Sequence, residues 1–330
     1  MSTSTFHVNR AIPSAAFRGS GSTASTEARA LFYQSLTTTV PKELVHRASV
    51  AEVMLTDWER VSKDHFTVAA QWPRGHSFFA NVDGRHDPLI AAETIRQAGT
   101  LLTHAEFGVP LGYHFLMWDL SVSVQPEILR VGTAPASVDV EMTCEDVKLR
   151  GNRLAGCRYN AVIRRDGQVA ATGSANFTCT SGKVYERLRG DRSDFAERQL
   201  PLTAPVAPQN VGRISPMDVV LSPIGDPNRW LLRVDTRHPI LFDHPVDHVP
   251  GMVLLEAARQ ASTALLGCPC LPVDFSSEFM KYVELDAPCV IEAQHLPDSG
   301  TDRGERVLVT GYQDETPVFR STVTMAPFSA

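Results

Sequence analysis

Residues 93–102 and 256–265 lie 163 positions apart and agree at six of ten places: Glu93/Glu256, Arg96/Arg259, Gln97/Gln260, Ala98/Ala261, Thr100/Thr263 and Leu102/Leu265. Gly99/Ser262 keeps a small residue as well. Both stretches have helical periodicity, and a helix accepts many residue types at most positions, so this agreement points to duplication of a whole structural unit. Such a chain is constrained to fold as two similar halves.

The remaining pattern says what each half contains. Residues 88–107 and 250–266 are the two long helical candidates. Asp87 offers an N-cap with Pro88 at the first helical position, and the partner opens with Pro250-Gly251. Elsewhere short β-like runs are bounded by turn signals. Val138, Val140, Met142 and Cys144 alternate with polar residues over 136–144, and Asp166-Gly167 supplies a hairpin turn between 153–165 and 168–180. A similar set follows the second helix at 275–286, 288–296, 305–313 and 317–325. Each half is one helix among mostly antiparallel strands, an α+β arrangement. The expected organisation is a Ser/Thr/Gly-rich leader at 1–29 and a first unit at 30–180. A charged, proline-bearing surface linker at 181–214 then leads to a second unit at 215–330.

With 31 Lys+Arg against 37 Asp+Glu the net charge is −6, so no protein-wide positive field attracts nucleic acid or an anionic membrane. No window approaches the roughly 18 consecutive apolar residues of a membrane span, and the N-terminus lacks a secretory signal, which predicts a cytoplasmic protein. The six cysteines read as buried, reduced thiols and the four tryptophans as packing residues. No cofactor is expected.

Glu93, Arg96, Gln97 and Thr100 stand at i, i+3, i+4 and i+7, a polar stripe through an otherwise apolar helix. One copy could be an ordinary surface ion pair, but its recurrence in the second helix favours a shared role. Before that second helix, His238, His244 and His248 lie within eleven residues together with Asp243 and Asp247. The four-residue spacing of His244 and His248 invites a metal, but Pro245 and Pro250 break the regular helix that would aim both rings at one ion, so no metal is expected.

The string DHPVDHVPGMVLLEAARQA resembles the loop-and-helix signature of hotdog-fold 3-hydroxyacyl-carrier-protein dehydratases. More closely, AQWPRGHSFF, DPLIAAETIRQAG and HAEFGVPLGYHFLMWDL in the first half, with that string in the second, resemble the A-factor biosynthesis family of γ-butyrolactone synthases over roughly residues 40–325. The resemblance implies a double hotdog, in which two antiparallel sheets each wrap a long helix and pack as a pseudo-dimer. It also implies transfer of a β-ketoacyl group from acyl carrier protein to the hydroxyl of dihydroxyacetone phosphate, giving a precursor of a butyrolactone, butenolide or furan signal. Neither His244 nor His248 stands at the dehydratase histidine's usual distance before Glu256, which argues against alkene-forming chemistry. A dehydratase, a thioesterase or a non-catalytic acyl-binding module remains the alternative.

Acyl transfer needs an oxyanion donor, a base and a phosphate clamp. Gly251 offers a backbone N–H at a helix start, where Pro88 in the first half has none, so the two potential sites should be unequal, with Gly251 facing Glu93. Glu93 or Glu256, desolvated between apolar helices, is expected to have its proton affinity raised toward neutrality. Arg96 and Arg259 could fork a phosphate or instead hold the adjacent carboxylates ionised, with Gln97 and Gln260 beside them. His244 and His248 are candidates for acid–base work. His76, 17 residues before Glu93, could face the opposite helix or simply bond its own loop. No Gly-x-Ser-x-Gly elbow is present, which favours direct transfer. Glu93 and Arg259 are expected to matter more to turnover than to folding.

Overall fold

The strands form a twelve-stranded antiparallel sheet in the computed structural model, which describes residues 38–151, 153–190, 200–297 and 303–328. The expected leader at 1–29 lies outside the described residues. In the first half, β1 (Leu55–Arg60), β2 (His65–Trp72), β3 (His114–Val124), β4 (Ala136–Arg150), β5 (Arg153–Arg165) and β6 (Gln168–Thr180) run in the order β1-β2-β4-β5-β6-β3. The second half has β7 (Leu221–Pro223), β8 (Arg229–Leu232), β9 (Cys270–Phe279), β10 (Val290–His295), β11 (Glu305–Gln313) and β12 (Thr316–Pro327). From its outer edge inward the order is β7-β8-β10-β11-β12-β9, the same strand for strand. The halves join where β3 pairs with β9, from Asp119↔Glu278 to Ser123↔Asp274. The duplication read from ten helical positions thus governs the whole topology.

Helix α1 (Leu89–Ala105) touches every strand of its own half, and α3 (Gly251–Leu266) is enclosed similarly by the second sheet; the two helices also touch each other. Nearly every side chain of α1 is buried, including Glu93, Thr94 and Gln97. A helix wrapped on this scale requires apolar residues around most of its circumference, which both sequences supply. Strand alternation does the rest: Phe66, Val68, Ala70 and Trp72 of β2 and Val138, Val140, Met142 and Cys144 of β4 are buried.

The hairpin at Asp166-Gly167 has φ of 51° and 77°, the doubly left-handed turn that matches strand twist. Its second-half counterpart is Asp314-Glu315, with φ of 48° and 58°. Glutamate pays a steric penalty there that glycine avoids. Glu315→Gly is therefore expected to raise folding stability by about 0.5–1 kcal/mol, read as a higher denaturation midpoint; a lower midpoint would contradict this.

Four expectations are corrected. The strand expected at 275–286 starts earlier, at Cys270, and ends at Phe279; Pro272, tolerated where the register shifts against β12, disguised its beginning. Charge in the connecting segment is not simply solvated. Helix α2 (Gly182–Arg189) buries Arg189, which donates to Asp247 at 2.8 Å and to both Glu284 oxygens at 2.8 Å. Cys268 is exposed, with its Sγ 3.2 Å from that of buried Cys270, and Trp118 is 41% exposed.

Candidate active site

Glu93 has no exposed surface and is caged. Arg47 donates through Nε at 3.0 Å and its Nη2 lies 2.6 Å away; Arg96 donates to both carboxylate oxygens at 2.8 and 2.7 Å, and Gln97 donates at 2.6 Å. Glu256 is held in the same way by Arg213 at 2.8 and 2.7 Å, by Arg259 at 2.9 and 2.5 Å, and by Gln260. Burial pushes each carboxyl upward, but in each case two guanidinium groups and their hydrogen bonds outweigh it and hold the pKa down at about 2. The expectation of a raised, proton-accepting glutamate is overturned: both are anions at neutral pH with their oxygens committed to the cage.

The glutamines and His76 are also committed to structure rather than open to substrate. Gln97 donates to Glu52 O at 2.7 Å and accepts from Met54 N–H at 2.9 Å, while Gln260 repeats this with Asp218 O and Val220 N–H. His76 accepts the N–H groups of Phe78 and Phe79 on Nδ1, at 3.1 and 3.0 Å, and its Nε2 lies 3.3 Å from Glu52. His238 does the same in the second half, with Ile240, Leu241 and Asp218. These are loop-forming histidines.

A cavity of about 290 Å³ opens between the halves, on the Glu93 side. Its first-half wall includes His46, Arg47, Arg96, His114 and Tyr159, and its second-half wall includes Asp243, His244, His248, Gly251 and Leu255. Asp243 ties the walls together by accepting the N–H groups of Ala48 and Ser49, at 2.5 and 3.1 Å. Arg96 keeps 21% of its side chain exposed, and its Nη1 has no hydrogen-bond partner among the described residues. His248 Nδ1 is 2.7 Å from Asp247, which also accepts from the Tyr185 hydroxyl and from Arg189. Two glycines make room: a Cβ on Gly99 would lie 2.6 Å from the Tyr159 ring, and one on Gly251 would lie 3.2 Å from the Phe279 ring.

The equivalent position beside Glu256 is filled. Where Arg47 donates to Ile240 O, Arg213 donates to Phe78 O at 2.6 Å, and its guanidinium lies 4.3 Å above the fully buried Phe78 ring. Arg259 keeps only 5% of its side chain exposed. The helix starts differ too. Asp87 accepts the Leu89 N–H at 2.9 Å, capping α1, whereas α3 has no side-chain cap and Gly251 N–H has no partner among the described residues. Of the residues singled out in the sequence, Arg96, His244, His248 and Gly251 therefore meet at the cavity. Glu93 and Gln97 stand behind it, and Glu256, Arg259, Gln260 and His76 belong to the closed side.

Sequence reasoning missed His46, Tyr159 and Tyr185, and gave no role to Tyr113 or His114, all of which line the cavity. It also missed Arg47 and Arg213, although a signal for them existed. Val45, Arg47, Ser49, Val53 and Leu55 recur as Val211, Arg213, Ser215, Val219 and Leu221, the same repeat continued upstream of the helices.

Two hotdog units fused in one chain, with a cavity between the first helix and the second loop, define a double-hotdog protein. The chain belongs to the A-factor biosynthesis hotdog family, whose model matches residues 29–181 and 196–329. It is 57% identical over 286 residues to the 2-oxo-3-(phosphooxy)propyl 3-oxoalkanoate synthase of Streptomyces virginiae, covering 86% of this chain and 96% of that one. It is 44% identical over 294 residues to the protein of that name from Streptomyces coelicolor, covering 88% and 92%. Among solved structures, a putative oleoyl thioesterase from Lactobacillus plantarum superposes with a TM-score of 0.50 at 14% identity, over 80% of this chain and 97% of that one, a likeness of fold. No helix among the described residues is long and apolar enough to cross a membrane.

Proposed function

We propose that this chain is an acyltransferase that moves a 3-oxoacyl group from the thioester of an acyl carrier protein to the hydroxyl of dihydroxyacetone phosphate, in the cytoplasm. The product is the phosphorylated ester from which a γ-butyrolactone-type signal is built. The observation that carries this reading is the near full-length identity to a synthase named for such an ester. The cavity's chemistry agrees. Arg96 presents an unpaired, charge-bearing N–H edge to a phosphate, and the Glu93 carboxylate fixes that guanidinium in place. Gly251 N–H, at the uncapped start of α3, is available to the oxyanion formed when the thioester carbonyl is attacked. His248, with Nδ1 tied to Asp247, keeps Nε2 for the thioester arm, and His244 lines the same wall.

Incubation with a 3-oxoacyl thioester of acyl carrier protein tests the reading through thiol release. Release is expected to depend on dihydroxyacetone phosphate and to saturate with it. Equal release without the acceptor would make the protein a thioesterase and overturn the proposal.

A further inference from the structure

Two histidines on the cavity side of the first half have no counterpart in the second. His46, preceding Arg47, corresponds to Gly212, preceding Arg213; His104, in the last turn of α1, corresponds to Gly267 at the 163-residue spacing of the helices. Both glycines have positive φ, 68° and 63°, and His46 holds the same left-handed conformation at 52° despite its side chain. Strain of that kind persists where the surroundings have a use for the residue.

The pair is wired in one direction. His104 Nδ1 lies 2.7 Å from the Val109 carbonyl oxygen, which can only accept, so that nitrogen carries a proton. His104 Nε2 is then the acceptor for His46 Nε2, 2.8 Å away, which fixes the proton of His46 on that side. His46 Nδ1 is left as the unprotonated nitrogen. It has no hydrogen-bond partner among the described residues and is not one of the sealed unpaired atoms, and the ring lines the cavity near Arg96.

We propose that His46 Nδ1 is the base that takes the proton from the acceptor hydroxyl, with His104 as the positioning residue that sets its tautomer. The inference rests on the acyl-transfer reading, which requires such a base and which Glu93 does not supply. As the hydroxyl oxygen bonds to the thioester carbonyl carbon, its proton passes to Nδ1. The tetrahedral centre then collapses, the C–S bond breaks with its electron pair on sulfur, and the sulfur takes that proton. Burial and the charges of His104, Arg96, His244 and His114 all hold the proton affinity of His46 well below the ordinary 6.5, so the ring meets substrate in its neutral form. His248, which stands where the first half has Arg85, keeps its Nδ1 on Asp247 at 2.7 Å, and its Nε2 serves the thioester arm in the reading above. The backbone frame is repeated here, with Arg85 bridging to Arg130 as His248 bridges to Glu284, while the side chain is not.

His46→Gly carries the residue the other half uses at this φ, and His46→Asn keeps a left-handed-tolerant side chain without a base. Both are expected to lower kcat of acceptor-dependent thiol release by about 10²–10⁴-fold with little change in KM for dihydroxyacetone phosphate. Added imidazole should restore part of the rate in the glycine variant, where a ring-sized space is open, and not in the asparagine variant. In the wild type, kcat/KM should stay flat through pH 6.5 and fall only below it. Wild-type kcat in either variant, or a loss in a normally melting His46→Gly that imidazole leaves untouched, would overturn the assignment. A wild-type enzyme indifferent to the acceptor would instead sink the acyl-transfer reading itself.

Discussion

Glu256→Gln is expected to cost about 3–5 kcal/mol of folding stability while leaving the turnover of the folded protein nearly intact. Its carboxylate is the counter-charge for Arg213 and Arg259, which are 4% and 5% exposed at the side chain, and a neutral amide leaves the two buried guanidiniums with only the more distant Asp87, 3.9 Å from Arg213, to offset them. Glu93→Gln should cost as much stability and, because Arg96 and Arg47 line the cavity, should lose turnover as well. This reverses the expectation from sequence that Glu93 and Arg259 serve turnover more than folding. The pH dependence has a definite sign. Both carboxyls are depressed in the folded protein to about 2 from an ordinary 4.5, so their stabilisation is fully present above pH 4.5 and is lost as pH falls toward 2. Chemical denaturation of wild type and variants between pH 2 and 7 reads both effects. A Glu256→Gln midpoint equal to wild type, or wild-type stability unchanged on acidification through that window, would contradict the caged-anion account.

Gly251→Pro is expected to lower kcat at least about a hundredfold, the loss of one oxyanion donor being worth about 2.7–4 kcal/mol of transition-state stabilisation. Proline fits the first turn of a helix, where no intrahelical bond is lost, so the cost falls on the ligand-facing N–H. Its ring also presses on Phe279, 3.2 Å from where a Cβ would sit, and Gly251→Ala controls for that contact while keeping the donor. Pro88→Gly at the other helix start should change stability modestly and rate little, since Asp87 already occupies the Leu89 N–H. Full activity in a well-folded Gly251→Pro would remove this donor from the mechanism.

Much of the architecture was legible from the chain because duplication is a strong constraint. Helix bounds fell within two residues, β5, β6 and β11 matched their runs, and the Asp166-Gly167 turn has the predicted backbone. The inequality of the two helix starts could also be read, since proline lacks the N–H that glycine offers. The charge state of Glu93 and Glu256 could not. It is set by Arg47 and Arg213, 46 and 43 residues upstream, and a reading confined to the helices sees a desolvated carboxylate without its cage. Closure of one site was hidden for a related reason. It depends on Phe78 standing where the other half has Ile240, a difference of side-chain volume at loop positions that only the packed structure brings over the helix.

The central claim is that a duplicated fold keeps one working site, between the first helix and the second loop. A crystal structure with a non-hydrolysable 3-oxoacyl-pantetheine analogue tests it most directly. The account predicts one ligand per chain in the cavity between His46 and Gly251, with the carbonyl oxygen within hydrogen-bond distance of Gly251 N–H. An acyl chain bound instead beside Glu256, displacing Phe78 from under Arg213, would contradict it.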